Sequence, residues 1–113
     1  YVLADLNSCE SDETFDLIHS MEVVYYLSNP TELIKNICHK WLKSGGRLII
    51  GLDHYYENKE SHSWEAKVGT PMLMLSENDW LSIFKKSGLK NIKMWRSCKS
   101  NEWAGTLILT GLK

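Results

Sequence analysis

Residues 15–50 read FDLIHSMEVVYYLSNPTELIKNICHKWLKSGGRLII, an order of apolar strand, short polar-aromatic turn, amphipathic helix, double glycine and second apolar strand. Asn29 and Pro30 stand where an N-cap and a first-turn proline belong. Leu33, Ile34, Ile37, Cys38, Trp41 and Leu42 recur at the spacing of one helical face, and Gly45 and Gly46 are expected to stop the helix. The flanking runs FDLIHS and RLIIGLD are dense in apolar residues, as parallel strands covered on both faces are. Two parallel strands need a crossover, so the whole stretch predicts one βαβ unit. Ligands of open sheets bind beyond the carboxyl ends of the strands. That points to His19, Ser20, Met21, Glu22, Tyr25 and Tyr26 after the first strand, and to Asp53, His54, Tyr55 and Tyr56 after the second.

Working outward, Ser76 and Asp79 predict a capping-box helix start. Leu81, Ile83 and Phe84 form that helix's apolar side, and Gly88 with Leu89 closes it. NIKMWRSCKS and AGTLILTGLK, separated by Asn101 to Trp103, read as an antiparallel hairpin. On the amino side YVLADL reads as a further strand. His54 to Thr70 is too long for an ordinary connection and carries Tyr55, Tyr56, His62 and Trp64, which makes it the candidate for a substrate lid.

The 113 residues are 43% hydrophobic and 24% charged with net charge −1, which suits one α/β domain over residues 1–113 and gives no electrostatic case for nucleic acid. No apolar run reaches the length of a membrane span and no basic-flanked signal segment is visible, so a cytoplasmic protein is expected. Cys9, Cys38 and Cys98 are odd in number and far apart, so neither a disulfide framework nor a zinc knuckle is expected; Cys38 reads as a small apolar filler. His54 and His62 lie among Asp53, Glu57, Glu60 and Glu65, but their spacing matches no zinc pattern, and no metal site is expected.

The run FDLIHSMEVVYYLSNP, with the helix after it and LKSGGRLII, resembles the fourth-strand to fifth-strand region of class I S-adenosylmethionine (SAM) dependent methyltransferases. Those have an FD-apolar strand, a helix and Leu-Lys-Pro-Gly-Gly before a strand; Ser44 stands here in place of the proline. Ile18, His19, Tyr25 and Tyr26, then Trp64, Met74 to Asp79 and Gly88 to Lys90, resemble histamine N-methyltransferase and its relatives. In the ubiquinone O-methyltransferases a Glu-x-x-Glu-His run follows the same strand; the matching positions here are Glu22, Tyr25 and Tyr26, which weakens a metal-assisted catechol reading.

The resemblance implies a partial Rossmann-like sheet with strands 3, 4, 5, 7 and 6 of the order 3-2-1-4-5-7-6, ending in the antiparallel hairpin. It implies SAM as cofactor, with adenine contacts at Asp5 and Leu6 after YVLADL and at Ser20 and Met21 after FDLIHS. It implies a small-molecule acceptor, an amine among the options, walled by Tyr25, Tyr26, Tyr55 and Trp64, with Glu22 orienting the amine or taking its proton. The glycines stand at 45, 46, 51, 69, 88, 105 and 111 and form no Gly-x-Gly. The stretch therefore reads as the C-terminal half of such an enzyme, expected to bind SAM weakly on its own; the alternative is a catalytically silent or oligomerising module. With strand 1 absent, the 15–20 edge is expected either to take up YVLADL or to pair with a second copy in a homodimer.

Overall fold

The computed structural model describes all 113 residues. Strand β1 (Phe15–Met21) leads through a 3-10 turn at Val24–Tyr26 into α1 (Pro30–Asn36), which continues as a π-helical turn over Ile37–Trp41. Strand β2 (Leu42–Leu52) follows, then a 3-10 turn at Lys59–Ser63, α2 (Trp64–Val68), α3 (Glu77–Lys86), β3 (Lys90–Ser97) and β4 (Thr106–Leu112). The sheet order is β1-β2-β4-β3, with β1 parallel to β2 and both β4 pairs antiparallel. That is the expected order 4-5-7-6, with the last strand inserted between β2 and β3.

The local signals act where they stand. Asn29 accepts the Glu32 N–H at 3.1 Å with Pro30 in the first turn, so α1 starts with one orphan donor satisfied. Ser76 and Asp79 form the reciprocal capping box on α3. Leu33, Ile34, Ile37, Cys38 and Trp41 are buried along one helical face. They meet Leu48, Ile50 and Leu52 of β2, Leu107 and Leu109 of β4, and Trp80, Ile83 and Phe84 of α3 in one core. Trp80 is fully buried, although the apolar spacing of its helix is legible from Leu81, Ile83 and Phe84 alone.

Three expectations are corrected. The helix ends at Trp41, before the double glycine, and Gly45 and Gly46 lie inside β2. There the pairing with β1 skips from Phe15↔Leu42 to Leu17↔Arg47, and Gly45 takes φ +78° to carry the irregularity. YVLADL is not a strand: residues 1–5 have no regular structure and residues 6–8 form a turn. No backbone hydrogen bond holds it to β1, so it does not move over to cover that edge. Finally, β1 is not covered on both faces, because it is an edge strand whose Phe15, Leu17 and Met21 are exposed.

Candidate functional site

The carboxyl ends of β1 and β2 lie side by side and the Glu22 N–H donates to Gly51 O at 2.9 Å, so the two loops diverge from one point. Glu22 holds φ +58°, a region that few non-glycine residues occupy and that tends to persist at functional sites. This turn brings the Tyr25 hydroxyl to the carboxylate, donating to Glu22 Oε2 at 2.7 Å. Burial raises the Glu22 pKa above the ordinary 4.5, and the nearby Asp53 charge adds to it, against the stabilising Tyr25 hydrogen bond. Tyr25 is itself pushed up, first by burial and then by its bond to Glu22, so its hydroxyl keeps its proton.

The sequence places His54 on the ligand-facing loop after the second strand without giving it a role; the fold puts it at the centre of an aromatic row. Ring centroids run Tyr26 to Tyr25 at 4.6 Å, Tyr25 to His54 at 5.3 Å and His54 to Trp64 at 6.2 Å. His54 is 1% exposed, and its Nδ1 lies 3.1 Å from Ser61 O. A carbonyl can only accept, so Nδ1 carries the proton and Nε2 presents a lone pair. Burial lowers the His54 pKa, which keeps the ring neutral. Glu22 Oε1, Asp53 Oδ1 and His54 Nε2 are all buried without a partner. With Glu22 ionised these are three acceptor atoms; the Tyr25 hydroxyl and the Asp53 backbone N–H support the Glu22 carboxylate, and Asp53 Oδ1 and His54 Nε2 have no donor.

Of the four residues expected to wall the acceptor, Tyr25, Tyr26 and Trp64 fall in this row and Tyr55 does not. Tyr55 is fully buried and donates to Gly105 O at 2.8 Å, while the Arg96 guanidinium lies 5.6 Å from its ring. It belongs to the core that holds Leu52, Trp80 and Leu107. Tyr25 and Tyr26 also line a cavity of about 200 Å³ with Leu27, Pro71 and Met72.

The expected lid is tied down at several points. Ser61 is fully buried and donates to Asn58 O at 2.8 Å, and Asn58 Nδ2 donates to Asp53 O at 2.8 Å. The Glu57 carboxylate accepts the Glu77 N–H at 3.0 Å, at the start of α3. Glu77 in turn pairs with Arg96 at 2.5 Å. These bonds hold residues 53–61 in place and tie them to the start of α3.

A second cavity, of about 320 Å³, opens along β1 between Leu6, Ile18, His19, Ser20, Met21, Val23, Val24, Leu33, Ile37 and Trp41. It gathers Leu6, Ser20 and Met21 from the four residues expected at the adenine. Asp5 is outside it, its carboxylate accepting the Asn7 N–H at 2.9 Å. The cavity is mostly apolar with His19 and Ser20 as polar points, a lining that suits a flat heteroaromatic ring. No group of three or more His, Cys, Asp and Glu side chains is placed to hold a metal ion. No helix is long and apolar enough to cross a membrane.

Residues 4–94 match the family model of a methyltransferase domain. A stretch of 92 residues is 30% identical to (S)-coclaurine N-methyltransferase of Papaver somniferum, covering 74% of this chain and 26% of that enzyme. In structure, the chain is similar to one in the complex between the Haloferax volcanii Trm112 methyltransferase activator and a methyltransferase. That match has TM-score 0.80 and 22% identity, over 98% of this chain and 59% of that one. It is also similar to a SAM-dependent methyltransferase of Thermotoga maritima described as a possible histamine N-methyltransferase, with TM-score 0.74 and 18% identity, over 97% of this chain and 61% of that one. The chain thus spans about a quarter of the curated relative and about three-fifths of these solved chains.

Proposed function

The chain belongs to the methyltransferase domain family, and from that premise we propose that it forms the acceptor side of a SAM-dependent methyltransferase acting on a small amine. The observation that carries the amine is the trio of buried acceptor atoms, Glu22 Oε1, Asp53 Oδ1 and His54 Nε2, the last two without a donor, beside the aromatic row. A protonated amine brings several N–H donors and a positive charge, and so answers the unmet acceptors, the carboxylates and the ring faces together. The poppy relative is an N-methyltransferase, which supports the same acceptor class.

SAM supplies a methyl group already activated on a sulfonium, so the chain's own task is to position and deprotonate the acceptor. The cavity of Leu6, Ser20 and Met21 fits the adenine end, whereas the 113 residues hold no Gly-x-Gly for the methionine end. Glu22 holds the ammonium and accepts the proton released as nitrogen becomes the nucleophile. Its raised pKa brings it toward the range of a useful base. The Tyr25 hydroxyl fixes the orientation of that carboxylate.

Calorimetric titration of S-adenosylhomocysteine into the 113-residue chain tests the cofactor side. Adenine-end contacts alone are expected to give a Kd on the order of 1 mM, about 4 kcal/mol; submicromolar binding would show that this half suffices. Titration of a small primary amine, followed by the Trp64 indole resonance, tests the acceptor side, and a response equal to that of the isosteric neutral alcohol would end the amine reading. The open edge of β1, which has β2 on one side and no strand on the other, supports a second reading as a module that pairs with another copy.

A further inference from the structure

Asp79, Ser82, Ile83 and Lys86 stand at i, i+3, i+4 and i+7 of α3 and form one stripe along the helix. The stripe lines a cavity of about 400 Å³ whose other wall is the start of α1, at Asn29, Pro30 and Thr31. A stripe that faces a neighbouring helix is ordinarily apolar. Helix α3 does bury an apolar set in the core, at Trp80, Ile83 and Phe84. Toward α1, however, Asp79, Ser82 and Lys86 are polar, and the two helices leave the space between them unfilled instead of interdigitating. Both walls belong to the helical layer, so the cavity depends neither on the edge of β1 nor on the opposite face of the sheet.

The cavity adjoins the proposed acceptor site. Ser28 and Leu73 line it and also line the cavity of about 200 Å³ at Tyr25, Tyr26 and Met72. Their shared wall is held in place, with the Leu73 N–H donating to Tyr25 O at 2.7 Å and Leu75 O accepting the Tyr56 N–H at 2.9 Å. Together the two cavities reach the size of small-molecule sites, about 300–1,000 Å³. The chemistry changes in order along this path. It is aromatic and apolar at Tyr26, Met72 and Leu73, acidic at Asp79 in the first turn of α3, and basic at Lys86 in the last. The Asp79 carboxylate is occupied by the helix start, accepting the Ser76 N–H at 3.0 Å. Lys86 is free, since the ion pairs of the chain are Lys43 with Asp16 and Arg96 with Glu77. Ser87 ties its hydroxyl back to Ile83 O at 2.7 Å, whereas Ser82 lines the cavity beside Lys86. Seven helical residues set Asp79 and Lys86 about 10.5 Å apart along the axis. That exceeds the Debye length of about 8 Å at physiological salt, so a group at the far end meets the lysine charge.

We propose that this cavity is the distal half of the acceptor site and takes the tail of an elongated amine ending in an anionic oxygen group, a carboxylate or a phosphate. The apolar middle of the tail lies on Leu73, Leu75 and Ile83, and its end meets the Lys86 ammonium and the Ser82 hydroxyl. Charge complementarity selects the terminus: a second ammonium would be repelled by Lys86, and an uncharged end would leave it unanswered. Only the near end of this assignment rests on the amine reading given above.

Four probes titrated into the 113-residue chain test it: butylamine, octylamine, ω-aminooctanoate and ω-hydroxyoctanoate, followed by the backbone amide resonances of Ser82 and Lys86. Octylamine is expected to bind at least about fivefold tighter than butylamine, because its added methylenes leave water. ω-Aminooctanoate should gain about a further threefold, the scale of an exposed ion pair, and Lys86→Glu should remove that gain. Lys86 is exposed, so this variant is expected to keep the wild-type melting curve. Ser82→Trp, which fills the cavity, should abolish the advantage of octylamine over butylamine. Equal binding of those two, or Ser82 and Lys86 resonances that stay fixed while Tyr26 responds, would overturn the cavity assignment and leave the amine reading standing. Octylamine binding as tightly as ω-aminooctanoate would overturn the anionic terminus. If ω-hydroxyoctanoate binds as tightly as ω-aminooctanoate and moves both resonances, the amine reading falls and the distal site is supported; no binding of any probe overturns both.

Discussion

Glu22 carries the most specific expectations at the scale of single residues. Its pKa is raised in the folded chain, so the folded state holds its proton more tightly than the unfolded state. That contribution is fully present below the ordinary 4.5 and is lost as pH rises through the raised value. Glu22→Gln removes the titration, and the difference in Tm between variant and wild type should shift in favour of the variant as pH is raised from about 4.5 to about 8; a pH-independent difference would place Glu22 in a solvated site. In a complete enzyme, Glu22→Gln and Tyr26→Phe should each lower methyl transfer by more than about tenfold, about 1.4 kcal/mol, with cofactor affinity near normal. Tyr55 gives the opposite expectation. Tyr55→Phe leaves the buried Gly105 carbonyl without its donor and should cost about 1–2 kcal/mol in denaturant unfolding, with no effect on acceptor binding. That contrast between two tyrosines near strand ends could not be read from the amino-acid order. Tyr25, Tyr26, Tyr55 and Trp64 are equivalent in the sequence as aromatic residues near strand ends, and only their partners in the fold, such as Gly105 O for Tyr55 and Glu22 for Tyr25, separate them. The role of His54 is hidden in the sequence for the same reason, since it rests on Ser61 O accepting a hydrogen bond from Nδ1–H and on Nε2 having no partner.

Elements were legible wherever a local chemical signal fixed them. Asn29-Pro30 and Ser76-x-x-Asp79 mark helix starts because their side chains close backbone groups a few residues away. Likewise, apolar alternation in β4 and the runs of β1 and β2 mark strands that meet across the core. The double glycine misled because glycine serves equally well to end a helix or to accommodate an irregular strand pairing. Gly46 shows which role it has here: an added Cβ would lie 2.7 Å from Lys43 O and 3.1 Å from Phe15 O, both backbone atoms with little freedom to move. Gly46→Ala should therefore lower stability by about 1–3 kcal/mol, as measured by chemical denaturation. A helix-terminating glycine at an unconstrained site would show far less. YVLADL failed as a strand because its apolar pattern needs a neighbouring strand for its backbone groups, and none stands beside it in the sheet.

The whole molecule is a thin, two-layer body with extents of 41 × 30 × 24 Å and a radius of gyration of 14.2 Å, against about 13 Å for a compact chain of this length. Only 30 of 113 residues are buried, which follows from one helical layer on one side of a four-stranded sheet. The edge of β1 pairs with no strand other than β2, and sedimentation tests whether it pairs with a second copy. Edge pairing predicts a concentration-dependent dimer abolished by Leu17→Lys and indifferent to Trp95→Ala. A monomer at every concentration would remove the self-pairing module from consideration. The placement of β4 has a further consequence, for the order of events during synthesis. β4 follows in sequence both strands it pairs with, so the β2–β4 and β4–β3 ladders close only once residues 106–112 have emerged, and until then β2 and β3 share no strand between them. Nascent chains stalled before Thr106 should be cut by protease at β3 and along β2 far faster than chains in which residues 106–112 have emerged; equal resistance would show that β4 is not what closes the sheet.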